Sequence, residues 1–257
     1  MPGVQHERDG SVAVLTLDEP QTLNALTPEL LTELAGTIAR QTDDASVRAL
    51  VLTGAGRGFC SGQNLKTARV ASAELSDWVT RWYWPAFRAL RECRVPVVVA
   101  VNGVAAGGGC SLAMAGDLIV AARSAKFVQV FSRIGLVPDL GSTWLLPRLV
   151  GRQRALEMML FNEPLGAEQA LQWGMVHEVV DDEALLEGAL RVARRLADGP
   201  TRALVATRRL LDAGEQASFA AQFAAEIEVQ AVMRDSADAI EGRRAFAERR
   251  PPRFTGA

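Results

Sequence analysis

Residues 94–122, RVPVVVAVNGVAAGGGCSLAMAGDLIVAA, leave this chain few options. From 95 to 116 there is no charged side chain, a run long enough to cross a bilayer. Pro96, Asn102 and the glycines divide it instead into a strand, a turn and a short helix, so it reads as buried core. The string Gly107-Gly108-Gly109 closes a β-rich apolar run, and Cys110, Ser111, Leu112, Ala113 and Met114 can continue from it as a helix. A strand that turns through glycines into a helix start leaves backbone N–H groups without helical partners, at the positive end of the helix dipole. Such a turn can hold a polarised oxygen and is expected to be half of an oxyanion hole.

The rest of the composition narrows the chemistry. With 257 residues, 49% apolar and 23% charged, the chain can bury a large core in the manner of a soluble globular protein. A net charge of −2 gives no general attraction to nucleic acid or anionic membrane. Cys60, Cys93 and Cys110 have neither CxxC spacing nor an even-numbered framework, which points to a reducing, cytoplasmic setting. His6 and His177 are the only histidines and have no ligand-spaced neighbours, so zinc and Ser-His-Asp readings are poor. No secretory leader is expected from the residues that open the chain, among them Gln5, His6, Glu7, Arg8 and Asp9.

In chain order, 11–18 reads as a strand covered on both faces. Thr27-Pro28-Glu29 is a helix start, and the helix it opens places Leu30, Leu31, Leu34 and Ile38 on one side. A strand at 47–53 runs into a second glycine turn, Gly54 to Gly62, which has neither GxGxxG spacing nor a phosphate-loop lysine. Paired with the turn at 107–109, it could supply a second N–H to one oxygen. Residues 66–93 read as helix, with Trp78, Trp82, Tyr83, Trp84 and Phe87 forming an aromatic face that is core or pocket wall. Strands at 117–122 and 126–130 precede a loop in which Asp139 stands between Pro138 and Leu140; locally it could cap a helix beginning near Thr143. From Gly151 the pattern is almost wholly helical, broken by a short strand at 176–180 and a stop at Gly199-Pro200. A βα-rich front and a helical back suggest one α/β body with a helical extension.

Taken together, GFCSGQNL (58–65), VPVVVAVNGVAAGGGCSLAMAGDL (95–118) and IGLVPDLGSTWLLPRLVG (134–151) resemble the enoyl-CoA hydratase/isomerase, or crotonase, superfamily. So do EPQTLNAL (19–26), AEQALQWGMVHEVV (167–180) and GRRAFAERRPPRF (242–254), which extends the resemblance over nearly the whole chain. It implies an α/β fold, a crotonase-like spiral of ββα units in two sheets over 1–195. A C-terminal helical region, 196–257, would form homotrimers or hexamers. The resemblance implies an acyl-CoA thioester as substrate and no metal or redox cofactor. Ser61 and Gly108 match the family's two backbone oxyanion donors. The segment Ser61, Gly62, Gln63, Asn64 and Leu65 matches the part that grips coenzyme A, and Gln21, Thr22 and Leu23 match a second CoA loop. Gln21 stands where the family often has Lys or Arg. Phe246 and Arg249 match a pair that reaches a neighbouring subunit's CoA site in some relatives.

The departures select the reaction. Typical hydratases of the family use two glutamates, and here Ser111 and Phe131 (in AKFVQVF, 125–131) hold those places. Adding water requires one group to deprotonate it and another to protonate carbon. Asp139, in the VPDLGSTW run, matches the acid/base of the isomerase branch of phenylacetate degradation, which converts a ring epoxide to an oxepin and can shift double bonds. The resemblance therefore implies an isomerase with one carboxylate, on an aromatic or an aliphatic acyl group. Apolar neighbours Ile134, Leu136, Val137 and Leu140 are expected to bury Asp139 and raise its pKa. A hydratase of fatty acid oxidation and a non-catalytic RNA-binding homologue are the alternatives, and the neutral charge disfavours the second.

Overall fold

The computed structural model describes residues 3–64 and 70–257. Strands β1 (Gly3–Asp9) and β2 (Val12–Asp18) form an antiparallel hairpin, followed by helix α1 (Pro28–Asp43). Thr27 caps α1 by accepting the Leu30 N–H at 3.2 Å, and Leu30, Leu31, Leu34 and Ile38 are buried as their spacing predicts. Next come β3 (Ala49–Gly54), β4 (Gly58–Cys60), α2 (Leu75–Trp82) and α3 (Trp84–Arg91). Of the helix expected across 66–93, residues 66–69 lie outside the described residues, and the remainder holds two helices, because Pro85 lacks the N–H needed to continue the first through Tyr83. The chain proceeds through β5 (Val97–Val101), β6 (Val104–Ala106), α4 (Gly108–Met114), β7 (Leu118–Ala122) and β8 (Lys126–Val128). After a long loop come α5 (Ser142–Val150), α6 (Arg152–Phe161), β9 (Leu165–Gly166), α7 (Ala167–Gln172) and β10 (Glu178–Val180). Four helices end the chain: α8 (Leu185–Ala197), α9 (Thr201–Gly214), α10 (Phe219–Arg234) and α11 (Ala237–Ala247).

Successive strand pairs split between two sheets, which is what makes the body a spiral. β3, β5 and β7 join the six-stranded sheet, ordered β1-β2-β3-β5-β7-β10; β4, β6 and β8 join the four-stranded sheet, ordered β4-β6-β8-β9. From β2 to β10 the larger sheet is parallel. Its inner strands are apolar on both alternations because both faces are covered: all five residues of β5, VVVAV, are fully buried. Each of those valines contributes about 1.5–3 kcal/mol of burial.

The smaller sheet positions the site. β4, β6 and β8 are adjacent and parallel, so their carboxyl ends lie side by side. The chain leaves β4 into Ser61-Gly62-Gln63, β6 into Gly107-Gly108, and β8 into the loop carrying Phe131 and Asp139. Crevices outside strand carboxyl ends are where open α/β sheets hold ligands. At the far end, the α8–α9 break falls at 198–200, and Arg48 spans it by donating to Gly199 O, Thr201 Oγ1 and, at 2.7 Å, Phe254 O. Among the described residues no helix is long and apolar enough to cross a membrane.

Candidate active site

A chamber of about 90 Å³ is lined by Ser61, Gly62, Gln63, Gly107, Gly108, Val130, Phe131 and Asp139, closed by Val79, Tyr83, Ile134, Leu136 and Leu140. Glycine lets the first two turns meet. Gly62 has φ +86°, and a Cβ there would stand 2.7 Å from Ala106 O and 3.1 Å from Gly108 N. At Gly109 a Cβ would lie 2.1 Å from Cys60 O, so α4 can start against the end of β4 only without a side chain there.

One expected oxyanion donor is already engaged. Ser61 N–H is donated to Leu23 O at 2.9 Å, and its hydroxyl to Thr22 O at 2.8 Å. Ser61 is therefore a tie between the two loops matched to coenzyme A, and its N–H is not a spare oxyanion donor. Gly62 N–H faces the Cys60 thiol. Leu26 bridges the next residues, donating to Gly62 O and accepting from Asn64 N–H. That leaves the Gln63 N–H, which has no backbone partner among the described residues. Gly108 N–H, first in α4, is likewise unpaired among them, whereas Gly107 N–H is held by Val128 O. Two unpaired N–H groups on one chamber wall can hold a thioester oxygen as it gains charge.

Among the described residues, Asp139 is the only carboxylate lining this chamber. It does not cap a helix: Gly141, at φ +82°, precedes α5, and no side chain caps that terminus. Its carbonyl instead accepts Ser142 N–H at 2.9 Å and Ser111 Oγ at 3.2 Å. Three of the four apolar neighbours expected to bury it are themselves more than half exposed in the single chain, with Ile134 at 53%, Leu136 at 55% and Val137 at 79%; only Leu140 packs against the core. Asp139 is likewise open to solvent on one side. Loss of water on its protein side still pushes the carboxyl above its ordinary range, opposed in part by its own backbone N–H. Val130 (φ +38°) and Leu140 (φ +51°) both hold left-handed conformations that side-chain-bearing residues avoid, at about 1–3 kcal/mol each.

Ser111 and Phe131 occupy the two positions where hydratases of the resembled family carry glutamate, and both are buried, at 0% and 8% exposure. Tyr83, the one tyrosine and a member of the aromatic face expected as core or pocket wall, lines the chamber. Burial pushes its phenol up, so it stays a neutral hydrogen-bonding group, near Gln63 and Asp139. Trp78 packs on it, tilted 47° with ring centroids 5.1 Å apart, instead of lining the chamber, and Trp82 is also outside the lining. Trp144 belongs to a neighbouring cavity of about 890 Å³ with Trp84 and Phe87, which shares Val79 and Leu140 with the chamber. Gln21, Thr22 and Leu23 form a turn beside Ser61, with Leu23 at φ +56°. Leu65 lies outside the described residues. Phe246 and Arg249 are solvent-exposed at the C-terminal end of the chain and do not line this chamber, Phe246 being 87% exposed on α11. All three cysteines are buried, and burial pushes the Cys60 and Cys110 thiols up to about 12, which makes them unsuitable nucleophiles. Among the described residues no three His, Cys, Asp or Glu side chains gather as a metal site.

Comparison with known proteins agrees with this geometry. The sequence model of the family "Enoyl-CoA hydratase/isomerase" matches residues 7–257. The 1,2-epoxyphenylacetyl-CoA isomerase of Escherichia coli K12 is 45% identical over 249 residues, 95% of each chain. A Rhodobacter capsulatus protein named "Probable enoyl-CoA hydratase" is 44% identical over 253 residues, 98% of each. The crystal structure of an enoyl-CoA hydratase from Polaromonas sp. JS666 superposes with a TM-score of 0.91 at 30% identity, covering 98% of this chain and 99% of that one. With two turns of spare N–H groups, one carboxylate and matches along its whole length, the chain belongs to the enoyl-CoA hydratase/isomerase family.

Proposed function

We propose that this enzyme is an acyl-CoA isomerase that moves a proton between two carbons of a thioester-conjugated acyl group. The observation that carries the reading is the single carboxylate, Asp139, in a chamber with the unpaired N–H groups of Gln63 and Gly108. The thioester oxygen sits between the two N–H groups as an enolate forms; losing one such donor costs roughly a hundred- to a thousandfold in rate. Asp139 removes a proton from one carbon and returns it to another, a role worth about a hundred- to ten-thousandfold. Its raised pKa favours the return step. No electrons are transferred, so the reaction needs no redox partner. A hydratase needs a second acid/base for water, and buried Ser111 and Phe131 supply none.

The isomerase-named relative supports an epoxide of phenylacetyl-CoA as the substrate, and the same residues suit a double-bond shift. The larger apolar cavity beyond Val79 and Leu140 suits the end of an acyl group too large for the chamber. The loops at 21–23 and 61–64 would carry coenzyme A, with Phe246 and Arg249 contributed by another copy in a trimer or hexamer.

Replacing Asp139 with Asn is the deciding experiment. Exchange of α and γ protons of an unsaturated acyl-CoA in D₂O should fall about a hundredfold or more with the fold retained. Exchange at the wild-type rate would show that Asp139 is not the base. Wild-type addition of water to a 2-enoyl-CoA at rates matching isomerisation would favour a hydratase instead, a reading that the 44%-identical relative keeps in play.

A further inference from the structure

We infer that Ser111 is a positioning residue that fastens the Asp139 loop to the helix carrying the second oxyanion donor. The inference rests on the reading of Asp139 as the acid/base. Ser111 is fully buried in α4, one turn beyond Gly107. Its Oγ lies 3.2 Å from Asp139 O and 3.4 Å from Gly107 O. A hydroxyl has a single proton to donate, and the nearer carbonyl is that of Asp139.

The link closes a buried ring. Asp139 O also receives Ser142 N–H at 2.9 Å. Ser142 Oγ donates to Gln129 Oε1 at 2.7 Å, and Gln129 Nε2 reaches Cys110 Sγ, next to Ser111, at 3.4 Å. Cys110, Ser111, Gln129 and Ser142 are all fully buried, so the bonds among their side chains are shielded from competing water, while the Ser111 bond to Asp139 O is part-buried. The ring joins three segments that build the chamber: α4, the exit of β8 and the start of α5.

The local backbone shows why a fastening is needed. Asp139 is followed by Leu140 at φ +51° and Gly141 at φ +82°, a tight left-handed pair. A strained loop persists only where its surroundings hold it. The Asp139 carbonyl, gripped from two sides, is where they do. Because Gly108 begins the same helix, the bond sets where the carboxylate stands relative to the thioester oxygen, and proton transfer depends steeply on that placement.

Steady-state isomerisation by Ser111→Ala, Ser111→Thr and Asp139→Asn tests this. Ser111→Ala should lower kcat about three- to tenfold, the rate equivalent of one neutral hydrogen bond, with KM changed less than about twofold. Ser111→Thr keeps a hydroxyl and should recover most of the loss. A wild-type kcat for Ser111→Ala beside an inactive Asp139→Asn overturns the fastening alone, as does a loss that Thr fails to recover. An active Asp139→Asn overturns the reading beneath it. Should Ser111→Ala not fold, Ser111→Cys fills nearly the same space with a weak donor and must show a fall in kcat with KM held; an unchanged kcat there also overturns the inference.

Discussion

Asp139 joins catalysis to stability through one carboxyl. Its pKa is raised above 3.8, so the folded chain binds that proton more tightly than the unfolded chain does. The folded state is therefore relatively favoured while the group is protonated, and this advantage is lost as pH rises through the folded value. Asp139→Asn should accordingly melt higher than wild type at neutral pH, with the gap narrowing as pH falls toward 3.8. Thermal melts across that range check it; a variant that melts lower at neutral pH would contradict the assignment. In activity, the base form is the one that works, so the acid limb of kcat/KM should lie above the ordinary aspartate range. The oxyanion donors show a different residue-scale lesson. Ser61 and Gln63 are two positions apart, yet only the partner carbonyl of Leu23 distinguishes a used N–H from a spare one.

Among the elements, α4 has the narrowest tolerance. It is short, wholly buried, and begins where Gly109 touches Cys60 O. Gly109→Ala should cost about 3 kcal/mol, the upper end for overpacking, since the neighbour is backbone and cannot swing aside. Chemical denaturation would measure it, and a loss below about 1 kcal/mol would mean that α4 has slack the packing does not suggest. Periodicity and caps make several elements legible in the sequence: α1 from Thr27-Pro28 and its leucine stripe, and β5 from its valines. β1 is not, because GVQHERD is a largely exposed edge strand with little apolar alternation, held by its pairing to β2. The aromatic face expected at 78–87 does serve as core and pocket wall, but its division between two cavities is not legible. Breaking at Pro85 turns Tyr83 inward and leaves Trp84 half exposed, which spacing on one continuous helix does not foresee.

For the molecule as a whole, α10 presents an unbalanced surface. It buries no residue, though Phe219, Phe223, Ile227 and Val232 are 86%, 56%, 56% and 63% exposed. The end of the chain is nonetheless firmly held: buried Asp238 accepts Thr255 N–H at 2.6 Å and Gly256 N–H at 2.8 Å. An ordered helix with this much open apolar surface is expected to meet another copy of the chain. Light scattering should find an oligomer, a trimer or its multiple, and Phe223→Glu combined with Ile227→Glu should shift it toward monomer with its helical content kept. A wild-type chain that is monomeric at micromolar concentration would refute this.

By itself the sequence determined the local chemistry: two glycine turns after apolar strands, a lone aspartate in its Pro-Asp-Leu-Gly loop, and Ser111 and Phe131 where glutamates would stand. The turns and the aspartate come from residue type and near spacing, and the glutamate positions from the family resemblance, both of which a chain carries in plain order. Only the tertiary structure decided that β4, β6 and β8 lie side by side, so that three distant turns face one chamber. It also decided that Gln63, not Ser61, keeps the spare N–H, and that Ser111 is bonded to the Asp139 carbonyl. Each of these is a question of which donor meets which acceptor across a long loop, and strand register and packing settle that, not the identity of the residue.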